Sequence, residues 1–509
     1  MPIDLNRRHL LAGAALLPAT FSAGTPNTGP CEADLGFDRL LRPTVRTADS
    51  GRWTLAERMA HHHVPAVAVA ILRDGRLHHV RGLGRLAAGA SAAAGPSTLF
   101  SVGSVSKVAT AALCLRLVSL GHLDLDRDVG RWLRRWRLPP GPAGDDAPVT
   151  IRMLLSHTAG LNVHGFADFP PGAELPTLGQ ILAGAAPARN RPIARIGRAG
   201  ERARYSGGGY MVVQAVLEDA MGLAFERLAA DHLFAPLGMA RSFFSAALSA
   251  DQGDIARAHD REGNPAALPR GWQSFPELAA SGLWTCALDL ARLIAALTGS
   301  HRGFANAFLP RSLAMEMMIP VSPGTFGLGP RLAGHGESAI FHHGGANDSY
   351  KGWIEGHLAS GDGLAILTNG ANGDVLGDEI RNAVSDAMGW PGDWSVIAQA
   401  ANGNDFLPAY AGRYARRPDQ PLELAGALDA AFDHASIGIE TREGGLVLVA
   451  GERRLGLAPL TGSRFVMPDF YIPADTLQLE FKRAADRSVD GLLVLGGGGI
   501  LLFDRARDS

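Results

Sequence analysis

A serine and a lysine three positions apart form the most reactive pair in the sequence. They begin and end the run Ser104-Val105-Ser106-Lys107, and the apolar residues that follow recur at three- and four-residue spacing, which predicts a helix from Ser104. Positions i and i+3 of a helix share a face, so the amine can reach the hydroxyl. A neutral amine that accepts the hydroxyl proton activates the serine, and backbone N–H groups at the helix start can stabilise an oxyanion. The pair predicts covalent catalysis with Ser104 as nucleophile and Lys107 as base.

The scarcity of lysine adds weight to this pair. Lysine and arginine together number 48, but only Lys107, Lys351 and Lys482 are lysines. An arginine side chain keeps its proton in a protein, whereas a desolvated lysine can lose it. A lysine retained at position 107, in a chain that otherwise uses arginine, is consistent with a role as base.

Four segments, in order along the chain, resemble the motifs of one enzyme family. Residues 100–107 (FSVGSVSK) resemble the active-site helix of the serine β-lactamase family, in particular the class C β-lactamases and the related DD-peptidases and esterases. Residues 154–161 (LLSHTAGL) resemble the family's helix-to-loop segment. Residues 205–210 (YSGGGY) resemble its Tyr-x-Asn motif, and residues 343–345 (HGG) its Lys-Thr-Gly or His-x-Gly strand motif. The resemblance covers roughly residues 50–390 and implies a penicillin-recognising serine hydrolase.

The resemblance implies a role for each matched residue. Ser104 would be acylated, and Lys107 and Tyr205 would share the roles of base and of proton donor to the leaving group. Which of the two is the base stays open. The backbone N–H groups of Ser104 and Ala346 would form the oxyanion hole. His343 would lie on the wall of the site, with an ordinary surface histidine as the alternative interpretation.

Two departures from the family pattern bear on the substrate. Gly207 stands where the tyrosine motif usually has asparagine, so no side-chain amide is present to hold an acylamido group. His343 replaces the lysine of the strand motif, and a largely neutral histidine binds a β-lactam carboxylate less well. Gly207, Gly344 and Gly345 are predicted to contact the substrate through the backbone. Two nearby cations are candidates to replace the missing charge: Lys351 and Arg204.

These departures favour an esterase, or a peptidase or amidase for D-amino acid derivatives, over an efficient β-lactamase. The expected substrate is a small ester, amide or D-amino acid peptide. A β-lactamase or a DD-carboxypeptidase is the alternative within the same chemistry. An acylating sensor, or a protein that binds peptidoglycan fragments with little turnover, is the alternative from another class, and rapid turnover of an ester would exclude it.

The elements around the motifs predict an α+β fold. A β-like run at 66–72, the turn Asp74-Gly75 and a return strand at 77–80 predict a hairpin, and two more strands are expected at 350–357 and 364–368. The stretch between, about 125–330, is mainly helical. The resemblance implies a mixed antiparallel sheet with flanking helices beside an all-helical region. Short strands at 446–450, 464–467, 476–481, 492–495 and 500–503 predict a C-terminal all-β domain, a small barrel or sandwich.

Shifts in composition divide the chain. Arg7 and Arg8 precede an apolar stretch at 10–21, which is shorter than the about 20 residues that a membrane-spanning helix needs. Residues 1–23 are therefore predicted to be a twin-arginine-type signal peptide, with export to the periplasm or the exterior, and no later segment suggests a membrane span. Residues 24–397 are predicted to form the hydrolase domain, 398–406 a linker and 407–509 the β-barrel-like domain.

Composition excludes several classes of function. Hydrophobic residues make up 46% of the 509 and charged residues 19%, so a large core is expected rather than disorder. The net charge of −2 gives no reason to expect nucleic acid as a partner. The sequence contains no dinucleotide fingerprint, HExxH motif or Cys/His cluster, so no cofactor and no metal are predicted. The three cysteines are widely spaced and are predicted to be free thiols.

Overall fold

A computed structural model of the chain describes residues 35–46, 50–142, 147–266, 271–392, 396–397, 407–420, 434–451, 453–472, 475–484, 486, 488–496 and 499–506. The predicted signal peptide at 1–23 and the predicted linker at 398–406 lie outside these residues, so export and the linker stay predictions. No helix in the described ranges combines the length and the apolar character needed to cross a membrane.

The chain before residue 400 interleaves strands and helices. Its strands are Val45–Arg46 (β1), Ala66–Arg73 (β2), Arg76–Gly84 (β3), Phe100–Ser101 (β4), Phe243–Phe244 (β5), Leu283–Thr285 (β6), Arg331–Ala333 (β7), Ile340–Ala346 (β8), Lys351–His357 (β9), Gly363–Thr368 (β10) and Val396–Ile397 (β11). Its α-helices are Leu55–His61 (α1), Ser106–Ser119 (α2), Ile151–Leu155 (α3), Leu178–Ala183 (α4), Gly207–Met221 (α5), Phe225–Ala229 (α6), Ala235–Leu237 (α7), Leu278–Ser281 (α8), Ala287–Arg302 (α9), Arg311–Met317 (α10) and Gly373–Met388 (α11).

The central element is a six-stranded sheet in the order β3-β2-β10-β9-β8-β7. Every neighbouring pair in it is antiparallel. The hairpin predicted at Asp74-Gly75 joins β2 to β3, and the two turn residues have φ values of 51° and 72°. A two-residue hairpin turn with positive φ at both positions matches the twist of its strands, which is why this dipeptide is a strong hairpin signal.

Helices cover both faces of the sheet. Along β2, Ala66, Ala68 and Ala70 pack into the large core that includes α2, α5 and α9. The intervening residues, among them Val67 and Val69, pack into a second cluster with α1 and α11. Because both faces are buried, β2 is an apolar run rather than an alternating one. The predicted α+β fold, a sheet with flanking helices beside a helical region, is confirmed.

The helix that carries the lysine begins later than predicted. Ser104 lies in a 3₁₀ turn, Gly103–Val105, and α2 begins at Ser106 rather than at Ser104. Gly103 has a φ of 47°, which an α-helix does not accommodate, and 3₁₀ turns are frequent at helix N-termini. At its other end, α2 stops at Ser119, and Gly121 just beyond it has a φ of 80°, a conformation that glycine favours after a helix.

Eight strands in the C-terminal part of the chain close into an antiparallel barrel. They are Gly412–Arg416 (β12), Ser436–Arg442 (β13), Gly445–Ala450 (β14), Arg453–Thr461 (β15), Arg464–Ile472 (β16), Asp475–Arg483 (β17), Val489–Gly496 (β18) and Gly499–Arg505 (β19), and the short helix Leu407–Tyr410 (α12) precedes them. The predicted all-β domain is confirmed, although the pattern missed β12, β13 and β15. In β15, Gly456 and a register shift at Pro459 interrupt the alternation that identifies a strand.

The barrel has a hydrophobic core of its own. A separate small cluster joins it to the first part of the chain, where Val45 of β1 packs with Leu460 and Val466 of the barrel. Two of the cysteines predicted to be free thiols, Cys114 and Cys286, are buried and unpaired, and the third lies outside the described residues.

Candidate active site

The side chains of Ser104 and Lys107 meet. Lys107 Nζ lies 3.0 Å from Ser104 Oγ and donates a second hydrogen bond of 2.9 Å to the carbonyl oxygen of Ala280, in α8. The lysine side chain is buried, with 2% of its surface exposed. The Ala280 carbonyl is a neutral acceptor, so it orients the amine without adding a negative charge. The 3₁₀ turn and the first turn of α2 thus place an amine beside a hydroxyl.

The turn that holds Ser104 lies directly against strand β8. A Cβ atom on Gly345 would come within 1.9 Å of the carbonyl oxygen of Val102, and one on Gly103 would come within 2.9 Å of the backbone nitrogen of Ala346. Neither position can carry a side chain unless the strand and the turn move apart. The two glycines therefore set the distance between Ser104 and the end of β8.

The backbone N–H of Ala346 points to an uncovered edge of β8. Strand β7 pairs with residues 340–342, and no other described strand covers residues 343–346 on that side. The N–H of Asn347 donates to the carbonyl oxygen of Tyr350 (3.1 Å) across the turn between β8 and β9. The alternation of antiparallel pairing then turns the N–H of Ala346 away from β9. The segment that carries Ser104 lies beside this N–H, since a Cβ atom on Gly103 would meet the backbone of Ala346.

Tyr205 lies beside the lysine and is held in place by His157. Lys107 Nζ is 5.0 Å from the centroid of the Tyr205 ring. The carbonyl oxygen of His157 accepts the N–H of Arg204 (2.8 Å), and its Nδ1 accepts the N–H of Ser206 (3.0 Å). The His157 and Tyr205 ring centroids are 4.3 Å apart. His157 therefore binds the backbone N–H groups of both residues next to the tyrosine, and the only sequence signal for this role is the motif that contains His157.

His343 is buried and neutral. Only 2% of its surface is exposed, so the alternative interpretation as a surface histidine is wrong. Burial lowers the pKa of His343 well below its usual 6.5, and the charges of Lys107 and Arg331 lower it further. Its Nδ1 lies 2.6 Å from the carbonyl oxygen of Gly344, which fixes Nδ1 as the donor and leaves Nε2 as an acceptor. The ring therefore does not supply the positive charge that a lysine would at this position.

The cavity contains a cation that the sequence analysis did not single out. Arg331 of β7 lines it together with Ser104, and the Arg331 guanidinium lies 6.0 Å from the centroid of the Tyr205 ring. Of the two cations suggested by sequence, Lys351 lines the cavity, whereas Arg204 is exposed and does not. No motif marks Arg331, because only the pairing of β7 with β8 brings it to the site.

The glycines of the two motifs have different surroundings. Gly344 and Gly345 line the cavity, but Gly207 does not. The N–H of Gly207 donates to the carbonyl oxygen of His164 (2.9 Å), and a Cβ atom there would come within 2.9 Å of the Phe166 ring. Phe166 fills the space into which an asparagine would project, so the geometry gives no support to the predicted substrate contact at Gly207.

Two cavities meet at Ala346. The larger has a volume of about 360 Å³ and contains Ser104, Tyr205 and His343 in its lining. The smaller has a volume of about 280 Å³. It is lined by Gly103, by residues 346–348 and by the loop residues 166–168. Ala346 lines both, so a carbonyl group bound at its N–H has room for a substituent on either side. Within the described residues no group of histidine, cysteine and carboxylate side chains is arranged to hold a metal ion.

Comparison with curated proteins finds relatives that align with only part of this chain. Penicillin-binding protein 4 of Amycolatopsis lactamdurans is 33% identical over 186 residues, which are 36% of this chain and 45% of that protein. Esterase EstB of Burkholderia gladioli is 34% identical over 151 residues, 30% of this chain and 33% of the esterase. The chain thus spans less than half the length of these two relatives.

Comparison with solved structures finds the same fold across most of the chain. A penicillin-binding protein homologue from Pyrococcus abyssi, described as octameric, has a TM-score of 0.56 at 20% identity and covers 88% of this chain and 98% of its own. A D-amino acid amidase from Ochrobactrum anthropi SV3 has a TM-score of 0.53 at 18% identity, covering 66% and 98%. The model of the family described as Beta-lactamase matches residues 53–387, well over half of the sequence. The chain therefore belongs to the Beta-lactamase family, as the four motifs suggested.

Proposed function

We propose that the protein is a serine hydrolase that forms an acyl-enzyme on Ser104 and hydrolyses an ester or an amide. The observation that carries the proposal is the 3.0 Å distance between Lys107 Nζ and Ser104 Oγ, in a cavity that also contains Tyr205. At this distance the buried amine is positioned to accept the proton of the serine hydroxyl. Membership of the Beta-lactamase family supports the same chemistry.

The residues divide the reaction between them. Ser104 Oγ attacks the substrate carbonyl while its proton passes to Lys107. The oxyanion that forms accepts hydrogen bonds from the N–H groups of Ser104 and Ala346. Lys107 and Tyr205 return the proton to the leaving group, and a water molecule then repeats the sequence on the acyl-enzyme. His157 is a positioning residue here, since it acts through the backbone on both sides of Tyr205.

Esters and simple amides are the proposed substrates, with β-lactams and D-alanyl peptides as the alternatives. His343 is neutral and Gly207 offers no side-chain amide, so two contacts expected for a β-lactam are missing. The similarity to esterase EstB supports esters, and the similarity to penicillin-binding protein 4 is the reason to retain the alternatives. Action outside the cytoplasm remains part of the proposal and rests on the signal predicted at residues 1–23.

The test is hydrolysis of 4-nitrophenyl acetate by Ser104→Ala and Lys107→Arg. Both variants should lose about 1,000-fold or more in kcat/KM, because one lacks the nucleophile and the other has a guanidinium that cannot accept a proton. Ser119→Ala, at the far end of α2, and Lys482→Arg, an exposed barrel residue, are matched controls and should keep wild-type rates.

Covalent labelling completes the test. A fluorophosphonate should add to the wild type and to both controls, but not to Ser104→Ala. Undiminished hydrolysis by Ser104→Ala would refute the proposal. A stable acyl adduct on Ser104, detected by mass spectrometry without turnover of any ester, would identify an acylating sensor instead.

A further inference from the structure

Lys107 is oriented by a helix that is too short to fix its own position. The amine donates to the carbonyl oxygen of Ala280 (2.9 Å), and Ala280 belongs to α8, a helix of only four residues. The first N–H groups and the last C=O groups of a helix have no partner within it, so in α8 most peptide groups need partners from outside. Neighbouring elements therefore decide where the Ala280 carbonyl lies.

Side chains of two long helices bind the backbone of α8 and of the residues just after it. Thr110 of α2 donates from Oγ1 to the carbonyl oxygen of Ala279 (2.8 Å), and Gln214 of α5 accepts the N–H of Ala279 at Oε1 (3.3 Å). Ser106 Oγ, also in α2, accepts the N–H of Leu283 (3.1 Å), two residues beyond the end of α8. We call Ser106, Thr110 and Gln214 the α8 clamp.

The α8 clamp is buried in an apolar core. Ser106 and Thr110 have no exposed surface and Gln214 has 3%, while Ala279 and Ala280 belong to the largest hydrophobic cluster. Burying a polar side chain is unfavourable unless it is hydrogen-bonded, and a buried peptide group without a partner is unfavourable too. The three polar side chains and the backbone groups of residues 279–283 satisfy each other here.

Two side chains of α2 bind successive carbonyl groups of α8. Lys107 and Thr110 are three residues apart, so they lie on one face of α2. Lys107 reaches the carbonyl of Ala280 and Thr110 reaches that of Ala279. Because the two carbonyl groups belong to adjacent residues, a movement of α8 that breaks the bond to Thr110 also moves the acceptor of Lys107.

The orientation of the Gln214 amide is fixed from its other end. Its Nε2 donates to Glu218 Oε1 (2.9 Å), one turn further along α5, and Glu218 forms an ion pair with Arg135 (2.8 Å). A carboxylate only accepts hydrogen bonds, so Nε2 faces Glu218 and Oε1 is left to face the N–H of Ala279. Ala279 is thus bound on both its N–H and its C=O by side chains whose helices are long and well packed.

We propose that Thr110 and Gln214 are positioning residues for the reaction, which hold α8 so that the Ala280 carbonyl keeps Lys107 Nζ beside Ser104 Oγ. Neither residue belongs to the lining of the two cavities, so both act through the backbone of α8. The inference rests on the proposed function, since it assumes that Lys107 moves the proton of Ser104. Reacting groups lose rate steeply when they are misplaced by about 1 Å, and the α8 clamp prevents such a displacement.

The experiment replaces Thr110 by valine, which has the same shape without the hydroxyl. In Thr110→Val, kcat for 4-nitrophenyl acetate should fall about tenfold while KM changes less than about twofold. KM is expected to hold because Lys107 serves both acylation and deacylation, so the two steps slow together. Labelling of Ser104 by a fluorophosphonate, which needs no turnover, should slow by a similar factor. Thr110→Ser restores the hydroxyl and should recover the wild-type values to within about threefold.

Thr298→Val is the matched control. Thr298 has no exposed surface, and its Oγ1 donates to the carbonyl oxygen of Ile294 (2.9 Å) within α9. The substitution therefore removes an equally buried hydroxyl and should leave kcat and the labelling rate at their wild-type values. Equal falls of both rates in Thr110→Val and Thr298→Val would show a general defect of the core and would overturn the inference.

A double substitution tests whether the two residues act through the same peptide group. Gln214→Leu alone should also lower kcat about tenfold, because the N–H of Ala279 loses its acceptor. Once either residue has released Ala279, loss of the other has less left to disturb, so Thr110→Val with Gln214→Leu should lose well under a hundredfold. A full hundredfold loss would mean that the residues act independently and would overturn the shared role.

The failure of this inference is distinct from that of the proposed function. If hydrolysis depends on Ser104 but Thr110→Val keeps the wild-type kcat and labelling rate, the inference fails while the proposed function stands. If Ser104→Ala hydrolyses the ester normally, the proposed function fails and the inference with it. Loss of activity in Thr110→Val without recovery in Thr110→Ser would also contradict the role of the hydroxyl.

Discussion

At the scale of residues, the proposed base is surrounded by histidines that stay neutral. Burial is the main cause that holds the pKa of His157 and of His343 well below 6.5, and the charge of Lys107 is the second. Nδ1 of His157 accepts a backbone hydrogen bond, which only a neutral ring allows. Protonation of either ring would add a further positive charge beside Lys107 and Arg331.

The buried His343 should make stability depend on pH. A histidine whose folded pKa lies below its unfolded value takes up a proton on unfolding, so its contribution to stability is complete above pH 6.5 and is lost as pH falls. Below pH 6.5, the unfolding free energy of His343→Gln should therefore fall less steeply than that of the wild type, by up to about 1.4 kcal/mol for each pH unit. Urea unfolding of the wild type and the variant at pH 7.5, 6.5 and 5.5 measures this difference.

His122→Gln is the control for this experiment, since His122 is exposed. Its pH dependence should match that of the wild type. Each variant is compared with the wild type at the same pH, because buried acids such as Glu277 also make the unfolding free energy depend on pH. Their contribution falls as pH rises, and it is the same in all three proteins. Parallel curves for the wild type and His343→Gln would contradict the prediction.

At the scale of elements, the site depends on how closely strand β8 approaches the turn before α2. The turn supplies Ser104 and the strand supplies Ala346, and glycines at 103 and 345 allow the two backbones to touch. The early 3₁₀ turn, which the periodicity of α2 did not reveal, belongs to the same contact. A strand edge and a helix start thus position the proposed nucleophile and oxyanion hole together.

A methyl group at Gly345 should separate the two elements. In Gly345→Ala the new Cβ would overlap the carbonyl oxygen of Val102, so the strand must shift. We expect a loss of about 1–3 kcal/mol in unfolding free energy and a fall in kcat for 4-nitrophenyl acetate that exceeds any rise in KM. Gly456→Ala, in strand β15 where nothing lies within 4 Å, is the matched control and should change neither. Full activity of Gly345→Ala would show that the close contact is not required.

At the scale of the whole molecule, the chain has two large hydrophobic regions. One consists of the two clusters on the faces of the sheet, and the other fills the barrel. The described contact between them is small, with Val45 packed against Leu460 and Val466. A substitution in the barrel core should therefore change the stability of the barrel without altering the chemistry of the site.

Leu448→Ala tests this independence. Leu448 is fully buried in the barrel, and its truncation should destabilise the barrel by about 2–5 kcal/mol. Calorimetry should show one transition moved to lower temperature, while ester hydrolysis at 25 °C keeps the wild-type rate. Leu293→Ala, equally buried in the core near the site, should instead move the other transition. A single transition that moves in both variants would show that the two regions unfold as one unit.

The sequence by itself determined the features that depend on near neighbours in the chain. The i, i+3 spacing of Ser104 and Lys107, the Asp74-Gly75 turn and the alternation in most barrel strands are local patterns, so each could be recognised without knowledge of the fold. Motif order also identified the family correctly. The irregular strand β15 was missed because its local pattern is broken.

Only the tertiary structure decided which distant residues share a cavity. Arg331 reaches the site through the pairing of β7 with β8, and Asp168 comes from a separate loop to line a cavity with Ala346. The burial that keeps His343 neutral and the ring of Phe166 that blocks Gly207 likewise come from remote segments. These properties depend on long-range packing and desolvation, which no spacing of residues along the chain encodes.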